Sequence, residues 1–492
     1  MNRLFKIFET GKAVMLISLL LFISVRLLAE VPGTDSLPVY MELSARNNPL
    51  VLQRFAEYRA ALEKVTQAGS LNDPQLDVGI FLTPMELMSG KQSADIKLMQ
   101  MFPWFGVLRN AKDEMSQMAN AKFEQFRDAK LQVQYDVQRV WNDLYRIRKD
   151  ISITEKNIEI LNVVEKLALI RYKTAPAGEQ GSSSAATGES QGAVQGSQQG
   201  GSGMQGMTGQ GGISAPATSS NARMSQSQMG SSTVTGLPDI YRIQIEAADL
   251  RNNIALLRNQ EQTSIATFNS YLNRPSARSV VTADTLTADT LQLSLAAIND
   301  SMNANHPMLK MIDYEGKSYQ ARKKMVAGMG YPMVGLGLNY TVIASSEMST
   351  SEMNGKDMVM PMVSVTLPIY RKKYRAMKRE ADFMSEASSL NYEATANSLQ
   401  TEYFQAVQLY QDAKRRVKLY EEQYQLATKS FDIMLKSFSS TSSGLTDVLR
   451  VRQQALDYEL SKVQAVADLN TAIAWLKRLS ASSDNNYEIP KQ

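Results

Sequence analysis

The chain has 492 residues, with 53 Lys or Arg against 49 Asp or Glu, a single His, 27 Met and no Cys. The net charge of +4 comes from interleaved signs, which argues against the one-faced basic footprint of a nucleic-acid binder. Without cysteine there are no disulfides, thiolate metal sites or thiol catalysis.

Residues 1–29 read as a secretory signal: Arg3, Lys6 and Lys12 precede an apolar run from Ala13 to Leu28, and Ala29 precedes the expected cut. The alternative is a membrane anchor with a soluble remainder. No later stretch is apolar enough to span a bilayer as a helix. Val39 to Gln67 reads as helix, from Leu43, Leu50, Phe55, Tyr58, Leu62 and Val65 at near-heptad spacing. After Pro74 the period changes to two: apolar residues alternate over Leu76–Thr83, a loop is expected over Pro84–Ser93, and Ile96, Leu98 and Met99 to Phe102 make a second alternating run. Phe105 to Thr174 is a very long helical pattern, with a seam of Leu131, Tyr135, Gln138, Trp141, Leu144 and Tyr145. At 1.5 Å per residue it would be about 100 Å long.

Residues 175–235 are Gly, Ser, Gln and Ala with almost no aliphatics, so they cannot bury a core and are predicted to be disordered. They also hold Met204, Met207, Met224 and Met229. A shorter helix over Leu237–Leu272 closes a first repeat spanning 30–272, and 273–298 forms a linker. The second repeat, 299–480, has the same order. Val334, Leu336, Leu338, Tyr340 and Val342 alternate with Gly335, Gly337, Asn339 and Thr341. After a loop from Ala344 to Asp357, Val359, Val363, Val365 and Leu367 alternate with Met360, Met362, Ser364 and Thr366. A long helix over Tyr370–Phe438, a turn at Ser439–Ser443 and a helix over Leu445–Leu479 follow, with 481–492 as a tail.

The duplication is visible residue by residue. Asn48-Pro49-Leu50 answers to His306-Pro307-Met308, and Asp73-Pro74 to Tyr331-Pro332 at the same offset. Phe102-Pro103-Trp104 is echoed by Leu367-Pro368-Ile369. Gly236-Leu237-Pro238-Asp239-Ile240-Tyr241-Arg242 is echoed by Gly444-Leu445-Thr446-Asp447-Val448-Leu449-Arg450. A unit this long is no solenoid repeat; it implies two pseudo-equivalent halves of one architecture. Strands of eight to eleven residues suit a tilted crossing of a hydrocarbon layer, although alternation alone also fits a half-buried soluble sheet. The fold class is therefore mainly α with a small transmembrane β part, and the strands close a barrel only if several chains contribute.

The duplicated strand pairs, long helices and G-L-x-D-[IV]-x-R-[IV] turns resemble the TolC family of bacterial outer-membrane efflux channels. That resemblance implies a homotrimer with a 12-stranded β-barrel, four strands per chain, continued by an α-helical barrel through the periplasm. It implies partners as well: outer-membrane lipid, a periplasmic adaptor and an inner-membrane pump. It places Gly236–Arg242 and Gly444–Arg450 at the periplasmic tips and the two hairpin loops outside the cell. The 175–235 insertion departs from the family's compact first tip.

A channel of this kind needs no catalytic residues and no cofactor, and no Walker-type loop, HExxH or acyl-transfer signature is present. His306, before a proline at a helix start, reads as structural. Asp239 and Asp447 sit where acidic residues favour a helix amino end, with Thr235 and Ser443 as caps. A sharper reading has Asp239, Arg242, Asp447 and Arg450 forming three-fold rings or ion pairs that hold the aperture shut. If Leu76, Val334 and Val363 face lipid, then Met99, Met101, Met358, Met360 and Met362 face the lumen. Thioethers select Cu(I) and Ag(I), which points to heavy-metal export; the plain alternative is that methionine fills adaptable surfaces. Arg371, Lys372, Lys373, Arg375, Lys378 and Arg379 read as a solvated face, with lumenal anions or lipid headgroups as other possible partners. Export of drugs or type I secretion of proteins, a trimeric coiled-coil adhesin and a periplasmic scaffold are the competing functions.

Overall fold

A computed structural model describes residues 36–87, 89–174, 237–282, 286–291, 293–348, 352, 354–440 and 444–481. The expected signal over 1–29, the 175–235 insertion with its methionines, Thr235, Gly236, Ser443, most of the tail and parts of the second hairpin loop lie outside the described residues. In chain order the elements are α1 (Leu37–Asn47), α2 (Pro49–Gly69), β1 (Gln75–Leu87), β2 (Gly90–Phe102), α3 (Val107–Thr174) and α4 (Leu237–Tyr271). The second half repeats them as α5 (Leu295–Asn305), α6 (Pro307–Met329), β3 (Met333–Ala344), β4 (Met358–Thr366), α7 (Arg371–Ser439) and α8 (Leu445–Ser480).

The single helix expected over Val39–Gln67 is two helices, broken at Asn48-Pro49. Proline lacks the N–H that a continuing helix needs and keeps the residue before it extended. Asn48 has φ −65° and ψ 124°, and its Oδ1 accepts the Leu50 N–H at 2.9 Å to start α2. His306 does the same at the start of α6: φ −61°, ψ 128°, with Nδ1 accepting the Met308 N–H at 3.3 Å. The long helices α3 (68 residues) and α7 (69 residues) contain neither Gly nor Pro, so nothing in them interrupts the ladder. Gly106, at φ +85°, supplies the left-handed turn that lets the chain leave β2 and enter α3.

The chain divides into two compact units, and all four of α3, α4, α7 and α8 contribute to both. One unit comprises residues up to Lys156, Arg251–Gln425 and Leu456 onward; the other is Asn157–Leu250 with Leu426–Ala455. The first unit holds the sheet and three buried helical clusters, the smallest being Ala413, Leu469 and Ile473. Of the two larger cores, one gathers Tyr40, Val51, Val137, Trp141, Leu144, Phe268 and Leu272 from the first half; the other gathers Ile298, Met302, Leu309, Leu399, Tyr403, Leu476 and Leu479 from the second. The second unit packs Leu161, Val164 and Ala168 with Ile240 and Ile243, Phe431 and Phe438, and Leu445, Val448 and Leu449.

The strands form one antiparallel sheet in the order β1-β2-β3-β4, so the two hairpins join through β2 and β3. The expected loop Pro84–Ser93 is instead mostly strand. Glu86 pairs with Lys91 and Leu87 with Gly90 across a tight hairpin, and the Glu86–Lys91 ion pair closes at 3.4 Å. The register shifts between Ile80 and Met85, which moves the apolar residues from Leu76, Val78, Ile80 and Leu82 to the opposite parity at Met85 and Leu87, so one period-two pattern stops short of the strand end.

Candidate functional site

Because residues paired across antiparallel strands project to the same face, the register sorts the sheet into two chemistries. Leu76–Leu98–Leu338–Pro361, Val78–Ile96–Tyr340–Val359 and Gln100–Leu336–Val363 are rows of one face, apolar but for Gln100. Gln75–Met99–Gly337–Met362, Asp77–Lys97–Asn339–Met360, Gly79–Asp95–Thr341–Met358 and Met101–Gly335–Ser364 are rows of the other.

On the two central strands, β2 and β3, exposure runs opposite to that of a soluble sheet, while on β1 both faces are exposed. Leu76, Val78, Ile80, Ile96, Leu98, Leu336, Leu338, Val363 and Val365 are all exposed, whereas Gly335 and Thr341 on the polar face are buried. A half-buried soluble sheet would cover its apolar side, since burying a large aliphatic side chain is worth about 1.5–3 kcal/mol. Here that side is left for an apolar solvent. Within the sheet, β1 and β4 each also keep one long edge without a strand partner, a condition that proteins usually avoid.

The five methionines singled out from sequence all lie on the polar face, but they are not one cluster. Met358 and Met360 are about half exposed in the rows nearer the second hairpin loop. Met99 and Met101 converge: the Ser364 Oγ lies 3.6 Å from one Sδ and 3.7 Å from the other. This convergence requires β3 to carry no side chain between them. A Cβ on Gly335 would meet the Ser364 Oγ and stand 2.6 Å from the Met101 Sδ, and one on Gly337 would stand 3.0 Å from the Leu98 carbonyl and 3.7 Å from the Met362 Cβ. Two glycines thus open a trough between β2 and β4, and the thioethers of Met99 and Met101 lie in it beside a hydroxyl. Composition could not single out Ser364, Gly335 and Gly337; the alternation of Gly335, Gly337 and Asn339 was the available signal. Soft thioether donors suit Cu(I) or Ag(I) rather than Zn(II) or Mg(II), and no group of three His, Cys, Asp or Glu among the described residues is placed to hold a metal.

At the turns, Asp239 and Asp447 occupy the first turns of α4 and α8. Buried Ile240 and Ile243 fix the first, and Leu445, Val448 and Leu449 the second, in the core of the second unit. Arg450 Nη2 donates to Asp447 Oδ1 at 2.9 Å, three residues apart on one helix, and both groups are largely exposed. Such a pair contributes less than about 1 kcal/mol. Arg242 is exposed one turn after Asp239. The sequence reading missed Arg452, which is buried: its Nε donates to Asn157 Oδ1 at 2.5 Å, and its guanidinium lies 5.4 Å from the Phe431 ring centre. The signal was helical spacing, since Arg452 falls four residues after Val448 on the core face.

His306 is buried, and burial, followed by the nearby charges of Arg478 and Arg127, pushes its imidazole down to about 4. A neutral ring with a free Nδ1 lone pair is what the helix cap uses.

Residues 299–482 match the model of the outer membrane efflux protein family, so the second half of the chain carries that family's pattern. No curated protein matches the chain. Among solved structures, the outer membrane protein VceC of Vibrio cholerae superposes with a TM-score of 0.65 at 13% identity, over 90% of this chain and 96% of that one. The CmeC outer membrane channel of Campylobacter jejuni gives 0.65 at 10% identity, over 90% and 85%. CusC, described in connection with folding and transmembrane channel formation, gives 0.65 at 11% identity, over 90% and 91%. At these identities the likeness establishes the fold: that of outer-membrane channels with a β-barrel and a helical barrel.

Proposed function

We propose that three copies of this chain form the outer-membrane exit duct of an efflux system, with their strands closing one barrel and their helices extending into the periplasm. The observation that supports this most is the sheet's inverted exposure together with its two open edges. Four strands cannot close, and two copies would give eight, a count whose interior is filled by side chains. Closure therefore needs more than two copies, and the resemblance to outer-membrane efflux channels implies three, with twelve strands in all. The helices offer matching surfaces: on α7, Phe383, Leu390, Phe404 and Leu419 are exposed in one unit, and Leu426 and Ile433 in the other. Their spacing is close to the heptad repeat of a coiled-coil seam.

Passage through such a duct is passive, with energy supplied by an inner-membrane pump reached through a periplasmic adaptor. Asp239, Arg242, Asp447 and Arg450, repeated three times, would ring the aperture at the periplasmic end. Membrane extracts should yield a heat-resistant trimer that conducts ions in planar bilayers. A freely water-soluble monomer without conductance would overturn the reading.

The cargo favoured by the polar face is Cu(I) or Ag(I), held weakly and transiently by Met99, Met101 and Met362 around the glycine trough, with Met358 and Met360 further along the wall. Replacing all five methionines by Leu should lower silver and copper tolerance at equal expression. Unchanged tolerance would remove the metal assignment and leave drug or protein export as the duct's task.

A further inference from the structure

We propose that the helix-side end of the sheet carries a binding surface for acidic phospholipid headgroups, built from a basic stripe on α7 and an aromatic collar beside it. This rests on reading the sheet as membrane-crossing, and it goes further by naming which lipid lies against the wall. The register brings the collar together. Phe102 pairs with Val334, Val334 with Val365 and Met333 with Thr366, so residues 103–105, 331–332 and 367–370 enter or leave the sheet at one end. Trp104 and Tyr331 stack there, with centroids 5.2 Å apart and planes 18° from parallel. Phe105 is 91% exposed, and Leu367, Ile369 and Tyr370 are mostly exposed. Leu367 and Ile369 follow the end of β4 directly, where the chain turns with the Ile369 N–H on the Leu367 carbonyl at 3.0 Å, so exposed apolar side chains run on from β4 into this collar. Aromatic side chains at such a level mark the boundary between hydrocarbon and headgroups.

Arg371, Lys372, Lys373, Arg375, Lys378 and Arg379 follow at once, and all six are exposed. At 3.6 residues per turn, five of them, Lys373 apart, fall within an arc of about 120°. The ion pairs of α7 begin only beyond them, at Glu380 with Arg322 and Asp382 with Lys323. The first turn of α7 holds no acidic residue, so the positive amino end of the helix adds to the same field. The matching stretch of the first half has Arg109 and Lys112 offset by Asp113 and Glu114. At this end of the sheet, the second half therefore carries a strongly cationic patch bordered by exposed rings that the first half lacks. A phosphodiester with acyl chains complements both parts: the guanidinium groups fork onto its oxygens while the rings lie along the chains. Juxtamembrane basic clusters attract anionic leaflets in this way.

The test uses the full-length protein, extracted as its native assembly and observed by native mass spectrometry with phosphatidylglycerol or phosphatidylethanolamine added. Wild type should retain phosphatidylglycerol at roughly tenfold lower lipid concentration. An R371Q/R375Q/K378Q/R379Q variant should lose that preference at unchanged oligomeric mass. Equal retention of both lipids by wild type, or an undiminished preference in the variant, overturns the proposal. So does a variant whose single-channel anion selectivity falls while its lipid preference persists, since the stripe would then face the lumen. The same spectra report the assembly: a lipid-free monomer would sink the membrane reading too, whereas a trimer without preference sinks only this one.

Discussion

Tyr40, Trp141 and Phe268 interlock in the first half's core, with ring centroids 5.0–6.0 Å apart, where the corresponding positions of the second half hold Ile298, Ala406 and Leu476. The plan is shared and the filling is not. In the second core Tyr403 makes up part of the volume and ties its hydroxyl to the Leu295 carbonyl at 2.9 Å. The caps tell the same story, because Asn48 and His306 accept equivalent backbone N–H groups, those of Leu50 and Met308, with different atoms. Duplication has preserved dihedral angles and hydrogen bonds while leaving side-chain chemistry free to drift, provided each half packs to normal density.

The largest expected break of that parallel is Trp141→Ala. It removes the widest ring of the aromatic trio and should cost about 3–5 kcal/mol. Leu476→Ala should fall at the lower end of the 2–5 kcal/mol aliphatic range, both being read from denaturation midpoints of the assembled protein.

Next comes pH. The His306 pKa is lowered from 6.5 to about 4 in the fold, so the unfolded chain binds the extra proton first. The associated stability is fully present above pH 6.5, declines as pH falls toward 4 and is gone below it, about 3 kcal/mol per chain. His306→Asn, which copies the first half's cap, should flatten that decline; Asn48→His should add a second one. Asp150 acts in the opposite sense. Burial raises it to about 6 against the opposing pull of Arg146, so its cost to the fold at neutral pH is relieved as pH falls toward 3.8. The difference between wild type and the His306 variant isolates the imidazole.

Smaller still is the glycine pair. Gly79 and Gly337 are counterparts, yet a Cβ on Gly79 meets nothing nearer than 3.9 Å, while one on Gly337 meets backbone at 3.0 Å. Gly337→Ala should lower the heat resistance of the assembly by about 1–3 kcal/mol, and Gly79→Ala should leave it unchanged. The smallest effect belongs to the tip: Arg450→Gln should change stability by less than about 1 kcal/mol.

Much of this was legible in the sequence because it depends on period. The order of elements, the long uninterrupted helices and the two faces of each strand follow from spacing and from where Gly and Pro are absent. The ends of β1 and β2 were not legible, since the register shift between Ile80 and Met85 reverses the parity of the apolar residues and Lys91 and Gln92 opposite them are polar. Nor was the break at Pro49, where Leu43 and Leu50 keep a helical spacing across a cap. The convergence of Met99 and Met101 on Ser364 depends on the pairing of β2 with β3 and of β3 with β4, strands brought together from opposite halves of the chain, and no local pattern encodes that. Arg452 was hidden by its neighbour Arg450, two residues away and on the opposite side of the helix.

The unpartnered edges of β1 and β4 carry a genetic corollary. In the proposed closed ring every subunit would share a rim with both neighbours, so one copy with a spoiled rim would breach any ring it enters. An allele damaged there should be dominant when co-expressed with wild type. One damaged in the helical core, as at Trp141, should be cleared before it can join a ring and should behave as recessive.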